Sequence, residues 1–385
     1  MKKLTTCLLL FAIALSVFTL PASASSAKTV DEAVAEIMKT VPKNATDLEK
    51  ITIFYDWMND NVIYTRSKSS IHSALVEKQG NCDGFARSVQ RLLTEAEIEN
   101  MYIVGTASGT FGREGHAWNL VKLDGKWYHM DTLFKDMNKY NNFLISDDAL
   151  ARKTHEWNRE RYPATAKNSY ATNTRSSGEF VPAGDSVYYF DRDKKQIKRY
   201  NATTKKTTTF ESNITDPCLG KYGDYIEYKT ANGYVFYNYR TNTKTPHSIE
   251  GNLITVQGDT AFFSNTEDGS ASLTVFDIKS KTTRTPTPPK SAGGNLEYIG
   301  IHNGKVYFND WYDIYAYDTA SDKFTKLKRP ADIIVADSGD QYFRSVEIIE
   351  KNGKTYLKWE IRIPITDEQL RAGVATSVSK TREIK

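Results

Sequence analysis

The sequence predicts an α+β N-terminal domain followed by an all-β C-terminal domain, and three observations carry that reading. Capped amphipathic helices precede a hairpin signal within the first 162 residues. A polar stretch without periodicity follows them. Beyond it, short aromatic strands recur about every 40 residues, the size of a propeller blade. At 385 residues the chain has room for two or three domains of about 150 residues each.

The first segment reads as an address. Lys2 and Lys3 precede an apolar run from Leu8 to Leu20, and Pro21-Ala22-Ser23-Ala24 supplies the small residues that a signal peptidase reads. Leu8–Leu20 falls short of the roughly 20 residues a membrane span needs, so residues 1–24 are expected to be a cleaved secretory signal with no transmembrane anchor left behind. Residues 25–162 are expected to form the first domain, with its core at 47–162. Thr29 with Glu32, and Thr46 with Glu49, have the spacing of capping boxes before apolar faces. A third helix is readable after Gly80-Asn81-Cys82, from Phe85, Val89, Leu92, Leu93 and Ala96.

Strands come next: Tyr102–Val104, then His116–Leu123 and Lys126–Asp131 around Asp124-Gly125, a strong hairpin signal. Residues 163–180 read as a linker around Ser176-Ser177-Gly178, and 181–385 as the repeat domain. There the composition shifts, with 16 of the 23 tyrosines lying after Tyr170. Related segments begin at Tyr200, Tyr239, Phe276 and Tyr317, and the pairs Tyr188-Tyr189, Phe262-Phe263 and Tyr307-Phe308 sit upstream within three of the units, as interior strands. Gln341 to Arg362 supplies a further unit, for four or five blades; a sandwich or meander is the alternative.

Composition excludes some classes. A net charge of +4, with 51 basic and 47 acidic side chains, offers no electrostatic footprint for nucleic acid or anionic lipid. No cofactor motif is present, and His247 and His302 lack the spacing of metal ligands. After cleavage only Cys82 and Cys218 remain, which an oxidising compartment would pair unless one thiol is kept for chemistry.

Cys82 stands at the mouth of the third helix, where unpaired N–H groups and the positive end of the dipole lower a thiol pKa and offer donors to an oxyanion. Asp83 acts in the opposite direction. If Asp124-Gly125 is a two-residue turn, Leu123 faces Lys126, Trp118 faces Asp131 and His116 faces Leu133. Residues 116, 118, 129 and 131 then share one face, with His116 diagonal to Asp131 at a spacing of roughly 7–8 Å that side chains can bridge. A thiol, an imidazole base and a carboxylate that fixes its tautomer make a nucleophilic site. His129 is the competing histidine, with Leu120 as its cross-strand neighbour.

Gly80-Asn81-Cys82-Asp83-Gly84-Phe85-Ala86, Gly115-His116-Ala117-Trp118-Asn119 and Gly125-Lys126-Trp127-Tyr128-His129-Met130-Asp131 resemble the three catalytic blocks of the transglutaminase-like superfamily. Asp56-Trp57-Met58 to Ile63-Tyr64 resembles the helix and strand that precede the cysteine block in bacterial members. Asn142 to Asp148 with His155-Glu156-Trp157 resembles the tail of some of them. The resemblance implies a papain-like α+β core with Cys82 as nucleophile, His116 as base and Asp131 as its orienter. Asp83 replaces the aromatic residue of the animal cross-linking enzymes, and no acidic loop resembles a calcium site, which argues against calcium-dependent cross-linking.

The expected fold is thus a papain/transglutaminase-like α+β domain plus a β-propeller or propeller-like repeat array. The expected activity is that of a secreted cysteine peptidase or acyltransferase acting on an extracellular or cell-wall protein or peptide, with hydrolysis favoured. Its alternative is a non-catalytic binding protein that works through the repeats.

Overall fold

The computed structural model describes residues 28–109, 112–133, 139–170, 180–267, 270–287, 297–302, 305–309, 314–327, 343–351, 354–362 and 377–383. The expected signal segment with Cys7 lies outside them, as does 171–179 of the expected linker.

Local sequence sets the helices. Helix α1 (Val30–Met38) starts at Thr29, whose hydroxyl accepts from the Glu32 N–H while the Glu32 carboxylate accepts from the Thr29 N–H. Helix α2 (Asp47–Asn61) is capped by Thr46 and buries Leu48, Ile51, Phe54, Tyr55 and Met58 on one face. Short strands β1 (Ile63–Tyr64) and β2 (Gln79–Gly80) pair in parallel around the small helix α3 (Ile71–Leu75). Helix α4 (Cys82–Glu95) begins at the cysteine itself, and buries Phe85, Val89, Leu92 and Leu93.

The sheet of this domain runs β5-β4-β3-β6, from β3 (Asn100–Gly109), β4 (Gly112–Leu123), β5 (Lys126–Met130) and β6 (His155–Glu156), with α5 (Asp147–Ala151) before β6. Asp124 and Gly125 both take positive φ, 53° and 74°, as a tight hairpin turn requires. Leu123 faces Lys126 and Leu120 faces His129, the register expected from the turn. Pairing stops one residue short of the expected Trp118–Asp131 couple, because the Asp131 N–H turns away to the Asn142 carbonyl at 3.0 Å.

Residues 165–170, expected to open the linker, are tied into this domain instead. The Thr165 hydroxyl accepts from Asp147 N–H at 2.7 Å, the Ala166 N–H donates to Trp127 at 3.0 Å, and the Tyr170 N–H donates to Leu144 at 2.8 Å.

The rest is a series of antiparallel meanders, each paired in chain order. They comprise β7 (Phe180–Ala183) to β10 (Lys206–Glu211), β11 (Ile214–Tyr222) to β14 (Thr243–His247), β15 (Asn252–Gln257) to β18 (Thr282–Arg284), and β19 (Glu297–His302) to β22 (Lys323–Leu327). Three strands close the series: β23 (Phe343–Lys351), β24 (Lys354–Arg362) and β25 (Ser377–Glu383). First strands touch from sheet to sheet, β7 with β11, β11 with β15, and β19 with β23, an arrangement consistent with propeller blades.

The loose repeat has a structural cause. In each four-stranded sheet of the repeat region an Asn or Asp ends the third strand, and its side chain accepts from the N–H three residues on: Asn201 from Thr204 at 2.8 Å, Asn238 from Thr241 at 3.0 Å, Asp277 from Ser280 at 2.7 Å and Asp318 from Ser321 at 2.9 Å. Each turn then ends on a positive φ, at Lys205, Asn242, Lys281 and Asp322. The residue equivalent to Tyr200, Phe276 and Tyr317 is therefore Tyr237, and not Tyr239 as the sequence alignment of repeats suggested. Tyr188-Tyr189, Phe262-Phe263 and Tyr307-Phe308 do occupy strands paired on both sides.

One apolar cluster runs from α1, α2 and α4 through Phe143 and Leu144 to Phe180, Val187, Tyr188 and Tyr237. Across the same junction Asp56 of α2 meets Lys221, whose side chain is 7% exposed, and Glu49 meets Arg240. The first sheets of the repeat region are thereby packed on the α+β domain.

Candidate active site

Helix α4 and strand β4 place the nucleophile and base. The Asn81 side chain accepts from the N–H groups of Asp83 and Gly84 at 3.0 and 3.1 Å, and the Asn81 carbonyl from Phe85. The helix mouth is thus more occupied than the sequence suggested, and the Cys82 N–H is the first-turn donor not engaged in capping. Asn119 on β4 donates to the Ala86 carbonyl at 2.9 Å and locks the helix against the strand.

Cys82 is half-buried and Cys218 exposed, and no disulfide joins them. Burial pushes the Cys82 thiol up, but the hydrogen bond and charge of His116 and the N–H groups of Ala117 and Asp83 outweigh it, leaving the thiol below its ordinary value. Asp83 does little to oppose this, because its carboxylate is held by Arg87 at 2.9 and 3.0 Å and by the Tyr102 hydroxyl.

The His116 Nε2 lies 2.8 Å from Asp131 Oδ2, in a pair with side chains 6% and 2% exposed. Burial disfavours a charge on His116, yet the charge and hydrogen bond of Asp131, joined by Cys82, raise it to about 9. Asp131 is held well below the usual carboxylate range: burial opposes this, but the His116 charge and the hydrogen bonds from His116 and His155 prevail. An ionised carboxylate only accepts, so Nε2 of His116 carries a proton and Nδ1 is the ring nitrogen left for the thiol. The three residues expected from sequence are thus brought together.

His129 shares the predicted face but not the chemistry. Its Nδ1 accepts from the Trp118 indole at 2.9 Å and its Nε2 lies 2.8 Å from Asp147 Oδ1, so both nitrogens are spoken for. Burial, opposed by Asp147, lowers its pKa and keeps it neutral.

His155 was not singled out as a site residue. Its Nε2 lies 2.8 Å from the same Asp131 Oδ2, with its side chain fully buried. It resides on β6, 24 residues along the chain from Asp131, and only the antiparallel pairing of Ala107 with His155 delivers it. Its one sequence signal was membership of the His155-Glu156-Trp157 tail. His116, Asp131 and His155 are also residue types that hold transition metals, with ligand atoms within 4.8 Å of one another. Hydrogen bonds among them already engage all three atoms.

Trp118 roofs the cluster, stacked on His116 at 5.7 Å and edge-on to His155 at 5.1 Å. Gly105 makes room for it, since a Cβ there would sit 2.2 Å from the Glu156 carbonyl oxygen and 2.7 Å from the Trp118 ring.

The transglutaminase-like superfamily model matches residues 32–132, which hold Cys82, His116 and Asp131. These residues form a transglutaminase-like domain.

Kyphoscoliosis peptidase of Homo sapiens is 27% identical over 119 residues, covering 27% of this chain and 18% of that protein. Its Mus musculus counterpart is 27% identical over 130 residues, covering 29% and 20%. The chain thus spans about a fifth of the length of these curated relatives. Among solved structures, a TGase is 17% identical with a TM-score of 0.26, over 32% of this chain and 37% of that one. A proposed cysteine protease from Cytophaga hutchinsonii is 25% identical with a TM-score of 0.24, over 27% and 37%. Among the described residues no helix is long and apolar enough to cross a membrane.

Proposed function

We propose that the chain is an exported thiol enzyme that opens peptide or isopeptide amide bonds through a thioester on Cys82, with water as the usual acceptor. The observation that carries this reading is the continuous path from the Cys82 thiol through His116 to the buried Asp131 carboxylate. Transfer of the Cys82 proton to Nδ1 of His116 gives a thiolate–imidazolium pair, which the lowered thiol and raised imidazole favour. The thiolate attacks the amide carbonyl carbon, and the oxyanion meets the Cys82 N–H. His116 gives its Nδ1 proton to the leaving nitrogen as the C–N bond breaks. Water then attacks the thioester, its proton passes to His116, and the carboxylic product leaves with the thiolate restored.

Two observations support a peptide substrate and hydrolysis. Tyr64 and Val104, 49% and 47% exposed, are the exposed large apolar side chains among the described residues. Tyr64 pairs with Gly80, two residues before Cys82, and Val104 with Ala117, whose N–H reaches the Cys82 sulfur. An apolar substrate residue fits beside the nucleophile there. The curated relatives are both described as peptidases.

The test is iodoacetamide alkylation of the intact protein between about pH 5 and 8, read by peptide mapping, with His116→Ala alongside. Rapid labelling of Cys82 below pH 7 that His116→Ala abolishes supports the reading. An ordinary thiol profile in both proteins refutes it. Peptide amides with and without an added amine then separate hydrolysis from transfer, and N-terminal sequencing of protein recovered from the medium tests cleavage near Ser25.

A further inference from the structure

We infer that His155 is a positioning residue for the thiol site, a second imidazole that fixes the Asp131 carboxylate against His116. The inference rests on the thiol-enzyme reading and extends it beyond the Cys82, His116 and Asp131 set, since His155 lies outside the matched residues 32–132.

The geometry determines the protons. Asp131 Oδ1 accepts from the Leu133 N–H at 2.9 Å, and Oδ2 is 2.8 Å from Nε2 of both His116 and His155. An ionised carboxylate has no proton to give, so His155 must donate from Nε2. Its Nδ1 lies 3.1 Å from the Thr154 hydroxyl, which holds the ring from its other edge. The buried carboxylate is then met by three donors. Without the His155 donor, Asp131 would be less firmly ionised and held by two donors in place of three, and the imidazolium that sustains the Cys82 thiolate would weaken with it.

Other charges near this cluster are accounted for. His129 on β5 faces His155 but is tied to Asp147 and Trp118, Arg159 acts on His129, and Tyr55 of α2 donates to the Asp131 and Lys139 carbonyls. None of them replaces the His155 donor on Oδ2.

A merely structural role and a positioning role separate by substitution. His155→Phe keeps the ring that packs on Trp118 and removes the donor, whereas His155→Gln returns an N–H in place of Nε2. The readout is the pH profile of Cys82 alkylation in the full chain, with Cys218 labelling as internal reference. We expect the acid limb in His155→Phe to move up by about one pH unit, the equivalent of one buried hydrogen bond to a charged group. His155→Gln should return it most of the way to wild type. Thr154→Val, which removes the hydroxyl that holds Nδ1 of His155 from a partly exposed position, should move it in the same direction by less. It serves as the reporter if His155→Phe fails to fold.

A wild-type profile in the Phe variant, or Gln no better than Phe, overturns the role of His155. If Phe does not fold, an unmoved profile in Thr154→Val does the same. An ordinary thiol profile in the wild-type protein refutes the underlying reading, and this inference with it.

Discussion

Replacing Asp131 by Asn tests the electrostatics of the site most directly. The amide keeps the shape of the carboxylate but presents an N–H and an oxygen where the native side chain presents two acceptors, and two imidazole N–H groups converge on one of them. It also removes the charge that holds His116 at about 9 against an ordinary 6.5. That difference is worth about 3 kcal/mol at roughly 1.4 kcal/mol per unit, so the thiolate fraction near pH 6 should fall on the order of 100-fold. Burial, then opposed by Cys82 alone, would pull His116 down and take away more of the ion pair.

The assay is the pseudo-first-order rate of iodoacetamide labelling at Cys82 across about pH 4 to 10, with Cys218 in the same molecule reporting any general change in access. The Asp131→Asn curve should lose its low-pH plateau and rise only as the thiol itself ionises. Superimposable curves for the two proteins would refute the assignment of Asp131 as orienter and the account of the His116 shift together.

Other outcomes follow from the same coordinates. The Asp131–His116 pair should stabilise the fold in a definite window: its Asp131 part is present above the ordinary 3.8 and lost as pH falls, and its His116 part is present below 6.5 and lost as pH rises through about 9. The melting-temperature gap between wild type and His116→Ala should therefore be widest between those ordinary values and shrink above pH 9. Gly105→Ala forces its Cβ against the Glu156 carbonyl and Trp118 and should cost about 1–3 kcal/mol in urea unfolding, together with Cys82 reactivity. Asp56→Ala strands the buried Lys221 at the junction with the repeat sheets and leaves Lys139 only its Asp60 partner, and should cost about 3–5 kcal/mol in the same assay. Asn81→Ala, which frees two capped N–H groups, should cost about 1 kcal/mol.

What was legible in the sequence rests on interactions between near neighbours. The caps at Thr29, Thr46 and Asn81 act over three residues or fewer, so their helices start where the residues say. The Asp124-Gly125 turn sets the hairpin register by its own backbone preference, and the two-residue period of a strand then places His116 and Asp131 on one face. The cysteine, base and carboxylate could be named because helix mouth and hairpin are both local devices.

Tertiary structure decided the rest. His155 reaches Asp131, and Asp147 reaches His129, only because residues following the hairpin return to its sheet along β3 and α5, and no local spacing encodes such a return. Asp83 is held by Arg87 and by Tyr102 from a neighbouring strand, so the net shift at Cys82 could be signed only once the fold supplied these partners. In the repeats, residue types were visible while register was not: Tyr237 and Tyr239 are equally good aromatics, and only the Asn238 side chain closing its turn distinguishes the strand residue from the loop residue. Local chemistry names the groups that can react; pairings between distant segments set which of them are held, ionised or neutralised.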